Sequence, residues 1–418
     1  MSLDETLSEQ GYAKAVHLLR QLSTKHGFLA SLENRDNYKR IWCRDGAILT
    51  IAALLTGESD LIECAAATLS TLAAAQGPHG EMPSNIDPVS DRVSYGGTVG
   101  RVDSNMWFII ACGEYWHVTG DERFLHEMLP ILEKVRFLLG AWEYNNRGLL
   151  YVPNTGDWAD EYIHNGYVLF DQLLYLQALR TLCAIHASRH GSEDHELKEK
   201  VGRLTHLIRA NYWLVDNNSD PEDIYHEVLF EKGAKAATSC NDTFWFPFFS
   251  PLGYGYRFDS FANVLASFFG LADSSRQEAV DRYIREITRD NRLKLLPAFH
   301  PVIQPRDEDW QELHMTFTYT FKNNPYEFQN GGLWPMISGF YVADLARRGR
   351  KELASAILAD IHRANAMSRK HGESWGFPEY INGRTFEPGG TFLQGWSGAG
   401  AIIGQKALEG KTIFHFMS

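Results

Sequence analysis

Residues 46–53 read Gly-Ala-Ile-Leu-Thr-Ile-Ala-Ala, a stretch that would be small and apolar on nearly every face of a helix. A helix without a polar face is typical of one buried on all sides. The stretch 395–403 has the same character. By contrast, apolar residues in 353–367 recur at intervals of three and four, with charged residues between them. The chain therefore predicts two kinds of helix, one fully buried and one with a solvent-facing side.

Helical periodicity continues along the whole chain and predicts an all-α protein. Continuous β alternation is scarce, so we expect only short hairpins within the loops, for example around 145–155. The twelve predicted helices lie near 4–24, 43–57, 59–76, 103–118, 121–140, 166–188, 192–214, 258–271, 275–288, 331–347, 349–369 and 391–406.

The links between these helices alternate in length. A link of a few residues follows each even-numbered helix as far as the tenth, whereas the links that precede the even helices are long. Short links force antiparallel helix pairs, so all the even helices should begin at one end of the molecule. This arrangement predicts a closed (α/α)6 barrel formed by a single domain, residues 1–418. An open solenoid of helix pairs is the alternative, but no sequence repeat of ~34 or ~40 residues supports it.

Composition excludes several functions. The 40 basic and 52 acidic side chains give a net charge of −12, which argues against a nucleic-acid groove. No apolar run approaches the ~18 residues of a membrane span, and the polar start of the chain is unlike a signal peptide. The five cysteines are widely spaced and form no C-x-x-C, which predicts reduced thiols in a cytoplasmic protein. Nothing in the sequence indicates an oligomeric state.

Motif searches favour a site without a metal or cofactor. None of the three His-Glu pairs continues to H-E-x-x-H, and no phosphate-binding loop is present. Aromatic residues make up 13% of the chain, and flat aromatic faces beside carboxylates suit a carbohydrate, although they are also ordinary core material. We therefore expect a small carbohydrate as the partner, with no nucleic acid and no membrane.

Polar and aromatic residues cluster where the even helices begin. Each cluster alone is explained by helix capping or packing, but six clusters at one end of a barrel indicate a binding site. The clusters are Trp42-Cys43-Arg44-Asp45, Gly100-Arg101-Val102-Asp103-Ser104, Asp157-Trp158-Ala159-Asp160-Glu161, Arg257-Phe258-Asp259, Gln329-Asn330-Gly331-Gly332-Leu333-Trp334 and Pro378-Glu379-Tyr380.

The third cluster offers a general acid for glycoside hydrolysis, a reaction that uses two carboxyl groups on opposite sides of the scissile bond. Asp160 follows Trp158 closely, and desolvation against an aromatic face would raise the pKa of its carboxyl, as a general acid requires. Asp157 and Glu161 compete with it on composition alone.

The sixth cluster offers the general base. Glu379 lies in an aromatic loop flanked by glycine and proline, far from Asp160 in the sequence. Glu327, Glu373 and Glu387 are its rivals.

Several of these motifs resemble a known group of enzymes, the (α/α)6 glycosidases that include neutral invertases and the glucosidase domain of glycogen-debranching enzymes. The resemblance extends from about residue 38 to about 406. The motifs that carry it are Trp42-x-Arg44-Asp45, Asn330-Gly331-Gly332-x-Trp334-Pro335, Pro378-Glu379-Tyr380 and Gln394-x-Trp396-Ser397.

The resemblance implies roles for individual residues. Asp160 matches the general acid at the end of the T-W-M-D motif of debranching enzymes, although Asp157 stands where that motif has Thr. Arg44 and Asp45 correspond to residues that hold the non-reducing sugar, and Glu379 corresponds to the base. In neutral invertases a basic stretch follows the acid, whereas here Glu161 and Tyr162 follow.

We therefore expect an inverting glycoside hydrolase that acts on a small α-glucoside or oligosaccharide, with a sucrose-cleaving, invertase-like β-fructofuranosidase as the alternative. A sugar epimerase or isomerase using His164, His300 or His314 is the rival of another class, as is a non-catalytic sugar-binding protein. The residues expected to bind sugar hydroxyls or form aromatic walls are Trp42, Arg44, Asp45, Asp103, Trp107, Trp158, Asn330, Trp334 and Trp396.

Overall fold

Helices dominate the computed structural model, which describes residues 3–192, 194–215, 218–240, 243–317, 319–369 and 372–417. The described part of the chain contains fourteen α-helices. In chain order they are α1 (Leu3–Leu22), α2 (Cys43–Thr56), α3 (Ser59–Ala74), α4 (Val102–Thr119), α5 (Glu122–Ala141), α6 (Leu169–His190), α7 (His195–Tyr212), α8 (Glu227–Cys240), α9 (Ser260–Phe268), α10 (Ser274–Thr288), α11 (Trp310–Met315), α12 (Pro335–Arg347), α13 (Lys351–Asn365) and α14 (Gly395–Leu408).

Six of these helices form a closed inner ring. Each of α2, α4, α6, α9, α12 and α14 contacts the next, and α14 closes the ring against α2. The ring helices are buried on all sides over most of their length, as in α2 from Cys43 to Leu54 and α12 from Pro335 to Ala346. The prediction from their uniformly apolar sequences is therefore confirmed. Ring closure also shows that the open-solenoid alternative is wrong.

The other six barrel helices surround the ring. Helices α3, α5, α7 and α13 pack on the inner helix that precedes each of them, and α1 packs on α14. Helix α10 buries only one side, through residues that include Val280 and Ile284. The chain is thus an all-α protein with the predicted (α/α)6 barrel.

Short turns lie at one end of the barrel. Helices α2, α4 and α6 end at Gly57, Gly120 and Gly191, whose φ angles of 73°, 65° and 64° lie in the left-handed region. Glycine adopts this conformation without strain, so each outer helix can begin within a few residues. The long segments lie at the opposite end, where the inner helices begin, which we call the mouth.

Short strands tie these long segments together. Twelve strands of two or three residues are present within the described ranges. All pairings are antiparallel, and they join β1 (Ser23–Thr24) to β2 (Gly27–Phe28), β3 (Ile41–Trp42) to β4 (Asn85–Ile86) and β5 (Val93–Ser94), β6 (Tyr167–Val168) to β7 (Phe248–Ser250) and β8 (Gly253–Tyr254), β9 (Phe258–Asp259) to β10 (Phe299–His300), and β11 (Tyr380–Ile381) to β12 (Pro388–Gly389).

Two details differ from the sequence-based expectations. Helices α8 and α11 were not predicted, and both lie in long segments before an inner helix. The expected hairpin around 145–155 is wrong, because the only pairing found there is a single bridge between Val152 and Gly166. Leu149, Leu150 and Val152 are fully buried, so their apolar character reflects the burial of a loop and not a paired strand.

No described helix has both the length and the apolar character needed to cross a membrane. Cys43, Cys64, Cys112 and Cys183 form no disulfide. The side chain of Cys240 lies outside the described residues.

Candidate active site

The first turns of α2 and α4 meet at the mouth through a buried ion pair. Arg44 Nη1 donates to Asp103 Oδ2 at 2.9 Å, and both side chains are almost fully excluded from solvent. Asp103 Oδ1 and Arg44 Nε have no hydrogen-bond partner within the described residues. Since a buried polar atom is costly to leave unpaired, both atoms are suited to bind a polar ligand.

Asp45 and Trp396 lie beside this pair. The Arg44 guanidinium lies 5.6 Å from the centroid of the Trp396 ring, which belongs to the first turn of α14. Burial raises the pKa of Asp45 to about 6, although the Arg44 charge opposes the shift. These residues bring together a cation, two carboxyls and an aromatic face, which is the chemistry expected of a sugar subsite.

Glu379 is held by two hydrogen bonds just before β11. Tyr38 Oη donates to Glu379 Oε1 at 2.9 Å, and the Thr391 backbone N–H donates to Oε2 at 3.0 Å. Gly390 is required here, because its φ is +73° and a Cβ would lie 2.4 Å from Glu379 Oε2. The loop therefore fixes Oε2, and Tyr38 from the segment before α2 fixes Oε1.

Burial dominates the electrostatics of Glu379, which is only 2% exposed. Burial raises its pKa to about 7, while the hydrogen bonds from Thr391 and Tyr38 and the charge of Lys322 oppose the shift. A carboxyl with such a pKa exchanges protons readily near neutral pH.

Asp160 has a different environment from the one expected. Its Oδ1 lies 2.9 Å from Arg101 Nε, and 26% of its side chain is exposed. Trp158 is instead buried among aromatic rings that include Phe299 and Trp334. Asp160 thus lies beside a guanidinium and is partly open to solvent, whereas the ring of Trp158 packs on other aromatic rings.

The two predicted catalytic carboxyls share a neighbour in Tyr38. Burial raises the pKa of the Tyr38 hydroxyl, and the charges of Glu379, Asp160 and Asp45 raise it further. Asp160 also raises the pKa of Arg44 and of Asp45. Carboxyls far apart in the sequence thus act on the same few groups at the mouth.

The competitors of Asp160 have other environments. Asp157 is fully buried, where its Oδ2 lies 2.8 Å from His164 Nδ1 and its Oδ1 accepts from the Ala159 N–H. Glu161 has a left-handed backbone with φ 59°. Its carbonyl oxygen accepts hydrogen bonds from side chains of the segment that follows α11. The charge of Asp160 acts on both Tyr38 and Arg44.

The rivals of Glu379 are less buried. Glu327 is half-buried, and its Oε2 accepts from Asn324 Nδ2 at 3.2 Å. Glu373 and Glu387 are exposed.

The predicted aromatic walls separate into two groups. Trp107, Trp158 and Trp334 are fully buried, and Trp107 packs against Phe261 and Phe340. The ring of Trp396 contacts that of Trp334 edge-on, with 5.3 Å between the ring centroids. The ring of Trp334 in turn contacts that of Trp158, with 5.7 Å between the centroids. Trp42 is half-buried and donates through Nε1 to the Asn37 carbonyl. Trp396 therefore lies beside the Arg44 guanidinium and Trp42 is partly exposed, while the other three rings are fully buried.

Asn330 supports the loops. It is fully buried, and its Nδ2 donates to the carbonyls of Ile303 and Asn323 at 2.9 and 3.1 Å. Its Oδ1 accepts from the Ile303 N–H at 2.7 Å. Backbone groups of the loops thus occupy both ends of the Asn330 side-chain amide. The predicted role of Asn330 in binding sugar hydroxyls therefore stays a prediction.

The three histidines of the epimerase alternative are not gathered into one site. His164 is buried beside Asp157, His300 Nδ1 lies 3.1 Å from the Tyr283 hydroxyl, and His314 is exposed on α11. Within the described ranges, no three His, Cys, Asp or Glu side chains are grouped to hold a metal ion. A cavity of about 240 Å³ near Tyr162 and His164 is lined by neither Asp160 nor Glu379.

Sequence reasoning missed Tyr38 and Lys322. Lys322 Nζ lies 5.9 Å from the centroid of the Tyr38 ring and 5.5 Å from that of Phe328. Neither residue belongs to a motif at the start of an inner helix. Their only sequence signal is the proximity of Tyr38 to the Trp42 cluster and of Lys322 to the Asn330 cluster.

Solved structures share this fold. A mannosylglycerate hydrolase of family GH63 from Thermus thermophilus superposes with a TM-score of 0.65 at 16% identity, covering 94% of this chain and 99% of the other. A bacterial glucoamylase complexed with acarbose gives a TM-score of 0.63 at 14% identity, covering 96% of this chain and 56% of the other.

Sequence comparison identifies relatives that align with most of this chain and with about three quarters of their own length. A probable alkaline/neutral invertase D from Arabidopsis thaliana is 24% identical over 89% of this chain and 76% of the relative. Cytosolic invertase 1 of Oryza sativa subsp. japonica is 24% identical over 93% of this chain and 75% of the relative. The family model described as alkaline and neutral invertase matches residues 24–237 and 248–410. The chain is therefore a glycoside hydrolase that belongs to the alkaline and neutral invertase family.

Proposed function

We propose that this chain hydrolyses a small α-glucoside with inversion, using Asp160 as the general acid and Glu379 as the general base. The observation that carries the proposal is that the Tyr38 hydroxyl, at the mouth of a barrel of the invertase family, donates to Glu379 and also experiences the charge of Asp160. The buried Arg44–Asp103 pair, Asp45 and the faces of Trp396 and Trp42 hold the sugar.

Inversion takes place in a single displacement, and on its leaving-group side the Asp160 carboxyl gives its proton to the glycosidic oxygen as the bond from that oxygen to the anomeric carbon breaks. In the free protein Asp160 pairs with Arg101, so substrate binding exchanges this partner for the glycosidic oxygen. The partial exposure of Asp160 lets the carboxyl regain a proton from solvent after turnover.

In the same step, a water molecule attacks the anomeric carbon from the opposite face and forms the new C–O bond, while Glu379 takes a proton from that water. Glu379 works as a base only when ionised, and its pKa of about 7 places this form at neutral and alkaline pH. This property agrees with the description of the family as alkaline and neutral.

Sucrose is the first substrate to test, because it is an α-glucoside and the relatives are named invertases. The departure at Glu161 and Tyr162 favours other small α-glucosides as well. The relatives include one named cytosolic and another named chloroplastic, and for this chain we propose the cytoplasm.

The test is hydrolysis of a panel of disaccharides, followed by proton NMR before mutarotation. We expect the β-anomer of glucose to form first, because inverting enzymes separate their carboxyls by ~6.5–9.5 Å to admit the water molecule. First-formed α-glucose would contradict the mechanism. Isomerised sugar without hydrolysis would instead support an epimerase, and binding without turnover a non-catalytic protein.

A further inference from the structure

We propose that Asn323 is a positioning residue that links the loop of the acid to the loop of the base and so holds Asp160 in place. The inference rests on the proposed function, since it assumes that Asp160 and Glu379 are the acid and the base. Asn323 belongs to the segment between α11 and α12 and is fully buried.

On the acid side, Asn323 holds the residue that directly follows Asp160. Asn323 Nδ2 donates to the Glu161 carbonyl oxygen at 2.7 Å, and Thr316 Oγ1 lies 2.5 Å from the same oxygen. Glu161 has a positive φ of 59°, a conformation that non-glycine residues keep only when their surroundings hold it. The two side chains supply that support.

On the base side, Asn323 Oδ1 accepts from the backbone N–H groups of Gln329 and Asn330 at 3.0 and 3.2 Å. Asn330 Nδ2 donates back to the Asn323 carbonyl. These bonds fix the turn that leads into Leu333.

From Leu333 the connection reaches the base. Leu333 and Ile381 exchange two backbone hydrogen bonds of 2.8 Å, and Ile381 lies two residues after Glu379. A second link joins the same loops, because the Gly383 N–H donates to the Tyr326 carbonyl at 2.9 Å. Hydrogen bonds thus connect the two catalytic loops through one amide side chain.

This link matters because proton transfer is sensitive to geometry. A catalytic group must be held within about 0.5 Å of its working position, and a displacement of about 1 Å can cost ~100-fold in rate. Asp160 is partly exposed, so the held backbone of Glu161 contributes to fixing its direction.

The experiment uses Asn323→Asp in the full chain. The ionised aspartate can still accept from Gln329 and Asn330, but it cannot donate to Glu161, so the acid-side bond of this side chain is lost. Thr316→Val tests the same link without adding a charge. Two substrates are compared: a disaccharide that the wild type hydrolyses, and α-glucosyl fluoride, whose leaving group needs no proton from the acid.

For Asn323→Asp we expect kcat on the disaccharide to fall about 10- to 100-fold, with kcat on the fluoride and both KM values nearly unchanged. Asn324→Ala is the matched control, because Asn324 is exposed and bonds only to Glu327 among the described contacts. An equal loss of kcat on both substrates, or no loss on either, would overturn the proposal. A purely structural role for Asn323 cannot change the ratio of kcat on the disaccharide to kcat on the fluoride.

Thr316→Val removes the other donor to Glu161 without touching the base-side bonds, and it should change the ratio in the same direction if Asn323→Asp fails to fold. Hydrogen–deuterium exchange tests the link independently of turnover. In either variant, peptides covering 157–164 should exchange faster than in wild type or Asn324→Ala. Unchanged exchange in these peptides would overturn the link, whether or not the wild type hydrolyses a glucoside. Failure of the wild type to hydrolyse any glucoside would by itself contradict only the proposed function.

Discussion

The two carboxyls that we propose as acid and base occupy opposite kinds of environment. Glu379 is buried, and a tyrosine hydroxyl and a backbone amide hold its two oxygens. Asp160 is open to solvent over about a quarter of its side chain and lies against an arginine. In the proposed mechanism, Glu379 is therefore already in place in the free protein, whereas Asp160 has to exchange Arg101 for the sugar.

This difference shows where each carboxyl obtains its reactivity. Burial sets the pKa of Glu379, and burial is a property of the folded chain alone. Asp160 is paired with Arg101 in the free protein, so in the proposed mechanism its role as acid depends on the bound substrate. Variants should therefore separate base-side effects, which all substrates feel, from acid-side effects, which depend on the leaving group.

The largest effect is expected from Glu379→Gln. The amide cannot take a proton from water, so kcat should fall by about 10⁴-fold, the upper end of what a general base contributes. The loss should be similar for a disaccharide and for α-glucosyl fluoride. Glu387→Gln, an exposed position in the same loop, is the control; equal activity in both variants would remove Glu379 from the mechanism.

Asp160→Asn should lower kcat on a disaccharide by about 10³-fold, because the amide cannot protonate the leaving oxygen. Turnover of α-glucosyl fluoride should change little. Steady-state kinetics on both substrates measure the difference. Should Asp157→Asn show this selective loss while Asp160→Asn stays active, the acid is Asp157.

Arg44→Ala should weaken binding more than it slows chemistry. Removing the guanidinium leaves Asp103 buried without its partner and deprives the sugar of a charged donor. We expect a loss of about 10- to 100-fold in affinity for glucose, measured by calorimetry. Arg92→Ala, at an exposed arginine between α3 and α4, should bind normally; unchanged affinity in both variants would make the Arg44–Asp103 pair structural.

Tyr38→Phe should produce the smallest effect, a shift in pH dependence. In the wild type, kcat/KM should decrease as the pH falls below about 7, because Glu379 becomes protonated. The Tyr38 hydroxyl stabilises the ionised carboxylate, so removing the hydroxyl raises the pKa of Glu379. The acidic side of the pH profile then moves to higher pH by up to about one unit. Tyr144→Phe at an exposed tyrosine serves as the control. If the acidic side of the pH profile stays in place or moves to lower pH, Tyr38 does not stabilise an ionised Glu379 in catalysis.

The barrel could be predicted because its signals are local. The stretch 46–53 is apolar all round since its helix is buried all round, and the short links between helices force antiparallel pairs. Helix α11 has six residues, too few for a periodic pattern, and so it escaped prediction.

Part of the site could also be predicted, since Arg44, Asp45 and Asp103 lie in first turns of inner helices that meet at the mouth. The environment of Asp160 could not, because Arg101 comes from a segment almost sixty residues earlier. The role of Asn330 was obscured for the same reason: nothing in its own motif shows that Ile303 and Asn323 use its amide.

The left-handed glycines that end α2, α4 and α6 have a consequence for how such proteins diversify. Links of two to four residues leave little room for insertions, so that end of the barrel tolerates little change in length. The long segments at the mouth have no such restriction, and they supply Tyr38, Asp160, Lys322 and Glu379. New substrate preferences can therefore arise by lengthening or exchanging mouth segments while the ring of helices stays constant, and length differences among relatives should fall there.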